Sequence, residues 1–193
     1  MTPERDPKKF DPAKAHLLDR PERERYLPSD ELVALLALQG DETVVDYGAG
    51  TGRLTRAVAG ALGDGGEVVA VDESAEMFEL LAAQVDGVER ARALHITGNQ
   101  VPLPDGCAQR VLAVNMLHEI RGETALAEMR RLLAPGGFVL VVDWARGRER
   151  DSGPPDHLLY SAGEAQDELR AAGFEPEILN AALPYHFALK GTR

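Results

Sequence analysis

Three glycines, Gly48, Gly50 and Gly52, interrupt the run VVDYGAGTGRL between a β-branched stretch and a helical one. Glycine adopts positive φ without strain and carries no Cβ, so a ligand can approach the main chain here. The amides at the start of the following helix favour an anionic group. A dinucleotide fingerprint, G-x-G-x-x-G/A, would place its third small residue at position 53. The chain has Arg53 there and its third glycine at Gly52, a spacing that argues against NAD or FAD and for a smaller, mononucleoside ligand. A tight turn with no ligand would need the same glycines, so a second element carries weight. Asp72 closes the strand-like EVVAV, where a carboxylate accepts hydrogen bonds from both ribose hydroxyls and repels a 2′-phosphate. Loop and acid in β-α-β order read as a nucleoside site.

A second group of residues has types suited to proton transfer. His118 and Glu119 follow the strand-like RVLAVN, and an imidazole beside a carboxylate could deprotonate a hydroxyl, an amine or a carbon acid. The plainer alternative is that His118 makes a local hydrogen bond and Glu119 opens a helix near its positive end. Asp143 and Trp144 end a later strand at the same rim, where Trp144 could wall an acceptor pocket or simply pack. His157 and Tyr160 fall where a lid would be, though solvated loop positions suit them as well. Tyr26, in the N-terminal arm, could close over a ligand or pack on the first helix. Cys107 has no base or electropositive neighbour in sequence to activate it. His16, His95 and His186 lack metal-ligand spacing and read as structural or surface residues, so no metal site is expected.

These residues need a scaffold, and the pattern supplies one. With 193 residues the chain fits one domain. Residues 1–28 are polar and carry five prolines, an irregular arm with one short helix near 13–20. Ser29 precedes ELVALLAL, a helix with Gly40 as its stop. From Thr43 onward, short apolar runs alternate with helical stripes four times, which predicts a doubly wound parallel sheet with helices on both faces. Pro135-Gly136-Gly137 should turn the chain before the strand FVLVVDW. Ser161 and Glu164 have capping-box spacing for a helix that Gly173 closes, and EILNAAL and YHFALK should pair antiparallel at the sheet edge.

Charge narrows the partners. The formal net charge of −11 lacks the basic footprint of a nucleic-acid binder. No apolar run approaches a membrane span, and the N-terminus has no apolar signal region, so a cytoplasmic protein is expected.

On these motifs the chain resembles a class I S-adenosylmethionine-dependent methyltransferase. VVDYGAGTGRLT resembles the family's first motif and VVAVDESAEM its second-strand motif. ITGNQVPLPDGCAQRVLAVNMLHEI resembles the third and fourth strands, and ALAEMRRLLAPGGFVLVVDW the helix, turn and strand that follow. The LHEI segment, the APGG turn and AAGFEP…LPYHFALKG look most like the branch with quinone-biosynthesis and arsenite methyltransferases. A single cysteine sets arsenite aside. The resemblance implies a Rossmann-like seven-stranded sheet, mostly parallel with an antiparallel C-terminal edge strand. It further implies a single domain: residues 1–40 as arm and lid, 41–143 as cofactor-binding core, and 144–193 as rim excursion, helix and terminal strands.

Residue by residue, the resemblance places Asp46 and the Gly48–Ala49–Gly50 backbone at the methionine end of S-adenosylmethionine. Asp72 would hold the ribose, with Glu73 and Met77 flanking ribose and adenine. Gly98, Asn99 and Gln100 would lie along the adenine edge, and the backbone near Asn115 would face the cofactor's amino group and methyl. The family often has Asp where this chain has Asn99; the Asn carbonyl still accepts a hydrogen bond, without charge assistance. The implied activity is methyl transfer to a small-molecule acceptor, yielding S-adenosylhomocysteine, with His118 as the candidate base. The competing reading is a protein that binds the cofactor without methylating.

Overall fold

The computed structural model describes residues 9–120 and 123–193; residues 1–8 of the expected arm lie outside them. The helices are α1 (Ser29–Leu35), α2 (Arg53–Ala61), α3 (Ala75–Val85), α4 (Glu123–Leu132) and α5 (Ala162–Ala171). The strands are β1 (Thr43–Tyr47), β2 (Glu67–Asp72), β3 (Ala91–His95), β4 (Ala108–Val114), β5 (Leu133–Trp144), β6 (Glu175–Leu179) and β7 (His186–Thr192). They form one seven-stranded sheet in the order β3-β2-β1-β4-β5-β7-β6. Strands β1 to β5 are mutually parallel, β7 runs antiparallel to β5, and β6 antiparallel to β7. The antiparallel C-terminal strand is thus inserted one place inside the edge, which β6 forms.

The period-2 alternation of the strands gives each face of the sheet its own core. Val45, Val111 and Val141 pack against Leu126 and Met129 of α4 and Leu169 of α5. Val44, Leu112 and Val142 pack against Leu32 and Leu36 of the α1 segment and Leu54 and Val58 of α2. Strands buried on both faces need near-continuous apolar sequence, which FVLVVDW supplies. Each fully buried leucine contributes roughly 1.5–3 kcal/mol relative to exposure. The chain runs outward through β1, β2 and β3 and returns to β4 and β5, so direction switches between β1 and β4. At such a switch the carboxyl ends of the strands leave a crevice for a ligand.

Several local features differ from the sequence expectation. Ser29 does not cap α1: Pro28 holds the N-cap position, and Ser29 gives its amide and hydroxyl to Glu24 at 2.8 and 2.7 Å. The helix stops at Leu35, well before Gly40, because Ala37 adopts φ 48°. The APGG stretch turns within β5 rather than before it. Ala108 pairs with Leu133, and pairing then shifts to Arg110 with Phe138, leaving residues 134–137 as a bulge in which Gly136 has φ 80°. The arm adds a second 3-10 segment, Pro21–Arg25, after the expected one at Pro12–Leu17.

Candidate active site

Asp46, near the end of β1, is buried and accepts the Thr55 hydroxyl of α2 at 2.6 Å. Burial pushes its carboxyl up to about 6, and the nearby Asp72 adds to the shift against the hydrogen bond from Thr55. The loop after β1 uses its own amides. Gly48 and Ala49 both donate to the Val71 carbonyl at 2.9 and 3.0 Å, and Gly50 donates to Asp72 Oδ2 at 3.0 Å. The loop therefore does not offer the open row of amides expected for an anion. It is a stiff floor, joined to β2 and suited to a ligand without phosphates. Met116 packs so close over Gly48 that a Cβ there would overlap its sulfur, and Gly48 itself sits at φ 74°.

Asp72 takes the Ser74 amide on Oδ1 and the Gly50 amide on Oδ2, both at 3.0 Å. A carboxylate has about four acceptor positions, so two remain for a pair of hydroxyls. Burial raises its pKa despite these amides. Ser74 caps α3 by accepting from the Met77 amide, and the buried Met77 side chain reaches toward Gly50. Glu73 is ion-paired with Lys9 of the arm at 2.5 Å. The Gly98–Gln100 turn is fastened by Tyr47, whose hydroxyl donates to the Asn99 carbonyl at 2.9 Å, while the Asn99 amide donates to Thr124 at 3.2 Å. Asn115 leaves β4 at φ 57°, and its Oδ1 is buried without a hydrogen-bond partner. A buried acceptor left without a donor, on a residue with positive φ at the carboxyl end of a strand, calls for an explanation, and a ligand donor would supply one.

His118 is 7% exposed, and its Nδ1 lies 2.7 Å from Asp143 Oδ1. The same carboxylate accepts the His118 amide at 3.0 Å and the Trp144 amide at 2.7 Å. Glu119 Oε1 approaches His118 Nε2 at 3.6 Å, and its other oxygen accepts the Phe10 amide. Burial works against the imidazolium, but Asp143 by charge and hydrogen bond, and then Glu119, carry the His118 pKa above its ordinary value. Glu119 is pushed up by burial.

The arm meets this rim through two adjacent residues, Lys9 on Glu73 and Phe10 on Glu119. Farther along the arm Asp19 accepts the Thr51 hydroxyl at 2.7 Å, and Leu18 faces Gly50. Arg53, which breaks the dinucleotide spacing, holds the arm by bonding Glu24 and Ser29. Tyr26 packs into an aromatic group with Trp144, Tyr185 and His186. His157 is exposed, Tyr160 bridges to Ala145, and burial pushes the Cys107 thiol up.

The structure brings Asp46, Gly48, Ala49, Gly50, Asp72, Glu73, Met77 and Asn115 to the carboxyl ends of β1, β2 and β4, with Gly98, Asn99 and Gln100 on the loop between β3 and β4. His118 adjoins them through Asp143 at the end of β5. Two features had no usable signal in sequence: the Glu119–Phe10 tie and the burial of His186. The Asp143 partnership had only a hint, an acid ending a later strand at the rim that His118 occupies.

Residues 44–137 match the family model described as a methyltransferase domain. An uncharacterized methyltransferase of Mycobacterium tuberculosis is 36% identical over 130 residues, which is 66% of this chain and 50% of that protein. The ubiquinone/menaquinone biosynthesis C-methyltransferase UbiE of Coxiella burnetii is 26% identical over 121 residues, 61% of this chain and 48% of that protein. The chain spans about half the length of these two relatives. The crystal structure of a SAM-dependent methyltransferase from Aquifex aeolicus superposes with a TM-score of 0.88 at 28% identity, covering 95% of this chain and 98% of that one.

Proposed function

The chain belongs to the class I S-adenosylmethionine-dependent methyltransferases, and from that premise we propose that it transfers the methyl group of S-adenosylmethionine to a small-molecule acceptor. The observation that carries this reading is Asn115, which follows β4 beside the β1–β4 switch and whose Oδ1 is buried and unpartnered. It fits the ammonium donor of the cofactor's methionine end. Asp46 adds a buried carboxylate beside the same cationic portion. The two open acceptor positions of Asp72 suit the ribose hydroxyls, and Met77 and the Gly98–Gln100 turn would hold the ring face and the adenine edge. When bound, the cofactor supplies a methyl on a sulfonium centre that becomes a neutral thioether.

The remaining work falls to this chain's own residues. Holding acceptor and methyl in line replaces a bimolecular encounter. An acceptor that must lose a proton gives it to His118, kept in one orientation by Asp143. The arm, tied to Glu73, Thr51 and Glu119, acts as the lid over the site within a single functional unit. A formal charge of −11 supports a small acceptor over a nucleic acid.

Isothermal titration with S-adenosylmethionine, S-adenosylhomocysteine and NAD tests the reading. Micromolar binding of the first two and none of the third is expected. NAD binding alone would overturn it. Cofactor binding without turnover of any acceptor would assign the chain to the binding-only alternative.

A further inference from the structure

His186 opens β7 directly opposite Trp144, the last residue of β5. It is 4% exposed, and both ring nitrogens are buried with no hydrogen-bond partner. Leaving a buried polar group unpaired costs about 1–3 kcal/mol, and native structures rarely do so without cause. The imidazole lies 4.3 Å from the Trp144 ring and is stacked with Tyr26, at 6.0 Å between centroids and 4° between planes. Tyr185 completes the group, 5.7 Å from Tyr26 and 6.5 Å from Trp144. Trp144 and His186 form its buried floor. Tyr26 and Tyr185 are half-buried and form its outer wall, and Tyr26 sits on the arm, outside the sheet.

Aromatic cages commonly hold cations over their ring faces. This one is already served from within, because the Arg150 guanidinium lies 5.6 Å over the Trp144 ring and is paired with Asp156 at 3.4 Å. Arg23 adds a second cation, with its Nε buried and unpartnered. Burial, together with Arg23, His118 and Arg150 and against Asp143, lowers the His186 pKa to about 4. The ring is therefore neutral near pH 7, with one donor and one acceptor nitrogen, the complement of a hydroxyl. Its neighbour Trp144 donates its amide to Asp143, the carboxylate that orients His118.

Resting on the methyltransferase reading, we propose that Tyr26, Trp144, Tyr185 and His186 form the acceptor subsite, that the acceptor is an uncharged or anionic aromatic ring bearing a hydroxyl, and that His186 bonds that hydroxyl. The ring inserts between the Trp144–His186 floor and the outer wall of Tyr26 and Tyr185, and its oxygen satisfies the imidazole.

Trp144 is the chain's one tryptophan, so intrinsic fluorescence reads this subsite directly. The protein is titrated with phenol, with anisole, which lacks the O–H, and with tetramethylammonium, while cofactor affinity is measured separately by calorimetry. Saturable quenching by phenol is expected, with anisole weaker by roughly tenfold, the worth of one good hydrogen bond. His186→Phe should erase the difference between the two rings and leave S-adenosylhomocysteine affinity unchanged. Identical phenol and anisole curves for wild type and His186→Phe would overturn the assignment, as would preferential binding of tetramethylammonium. Should His186→Phe fail to fold, Tyr26→Leu serves instead: it should weaken both rings alike, and an unchanged titration would overturn the proposal. Cofactor binding without saturable phenol binding would remove this subsite alone. Phenol binding with its O–H preference, but no cofactor binding, would overturn the methyltransferase reading and keep the pocket.

Discussion

His118 Nδ1 and Asp143 Oδ1 lie 2.7 Å apart, and the three donors on Asp143 leave that carboxylate no freedom to turn. The pair links the loop after β4 to the end of β5. An imidazole in this position has one nitrogen held and the other directed away from its partner, the arrangement of an oriented base. Because Asp143 also receives the amide of Trp144, the base and the aromatic floor share one anchor.

That anchoring sets a pH dependence. His118 becomes a base only above its raised pKa, so kcat/KM for an acceptor with a dissociable proton should climb as pH rises through a value above the ordinary imidazole pKa of about 6.5. Asp143→Asn should move the inflection to lower pH and slow transfer roughly 10²-fold or more. The sign for stability is opposite. The imidazolium–carboxylate contribution is complete below the ordinary imidazole value and is lost as pH rises through the folded one. Urea melts across this range should show the fall, and His118→Gln should flatten it.

Asp46 gives a second pH test. Its pKa is raised to about 6 by burial, so the stability tied to its protonation is present below the ordinary aspartate value of 3.8 and is lost as pH rises through about 6. A cationic ligand favours the ionised form. Affinity for S-adenosylmethionine should therefore increase between about pH 5 and pH 7. Calorimetry on Asp46→Asn should find weaker binding with that slope removed.

Asp72→Ala should weaken S-adenosylhomocysteine binding by about 1.5–3 kcal/mol, the range for hydrogen bonds to a charged group. It also frees the Gly50 and Ser74 amides, so a lower Tm accompanies the loss. Asp72→Asn should recover part of the Tm and little of the affinity. An affinity unchanged by either variant would take Asp72 out of the site.

Away from the crevice, Ser161 caps α5 in a reciprocal capping box with Glu164. Ser161→Ala should cost about 1 kcal/mol and lower Tm by roughly 2–4 °C. Ligand affinity should not move, which separates general destabilisation from the effects predicted at Asp46 and Asp72.

Legibility divides along sequence distance. The glycines at 48, 50 and 52, the acid at Asp72, the Ser161–Glu164 box and the alternation of apolar runs are local: each follows from a backbone conformation or side-chain period within a few residues. They suffice for the sheet, its parallel core and the crevice end. Ser29 shows where locality fails, since Glu24, folded back by the second 3-10 segment, takes its hydroxyl and makes Pro28 the cap. The acceptor side depends almost wholly on distant contacts. Asp143 meets His118 because β5 lies beside β4, and His186 meets Trp144 because β7 enters between β5 and β6. Tyr26 joins them because Arg53 grips the arm. Composition could not reveal that His186 is buried with both nitrogens open, because burial is decided by which strands become neighbours. Strand order is a property of the packed sheet as a whole, in which the apolar faces of all seven strands must find their helices together.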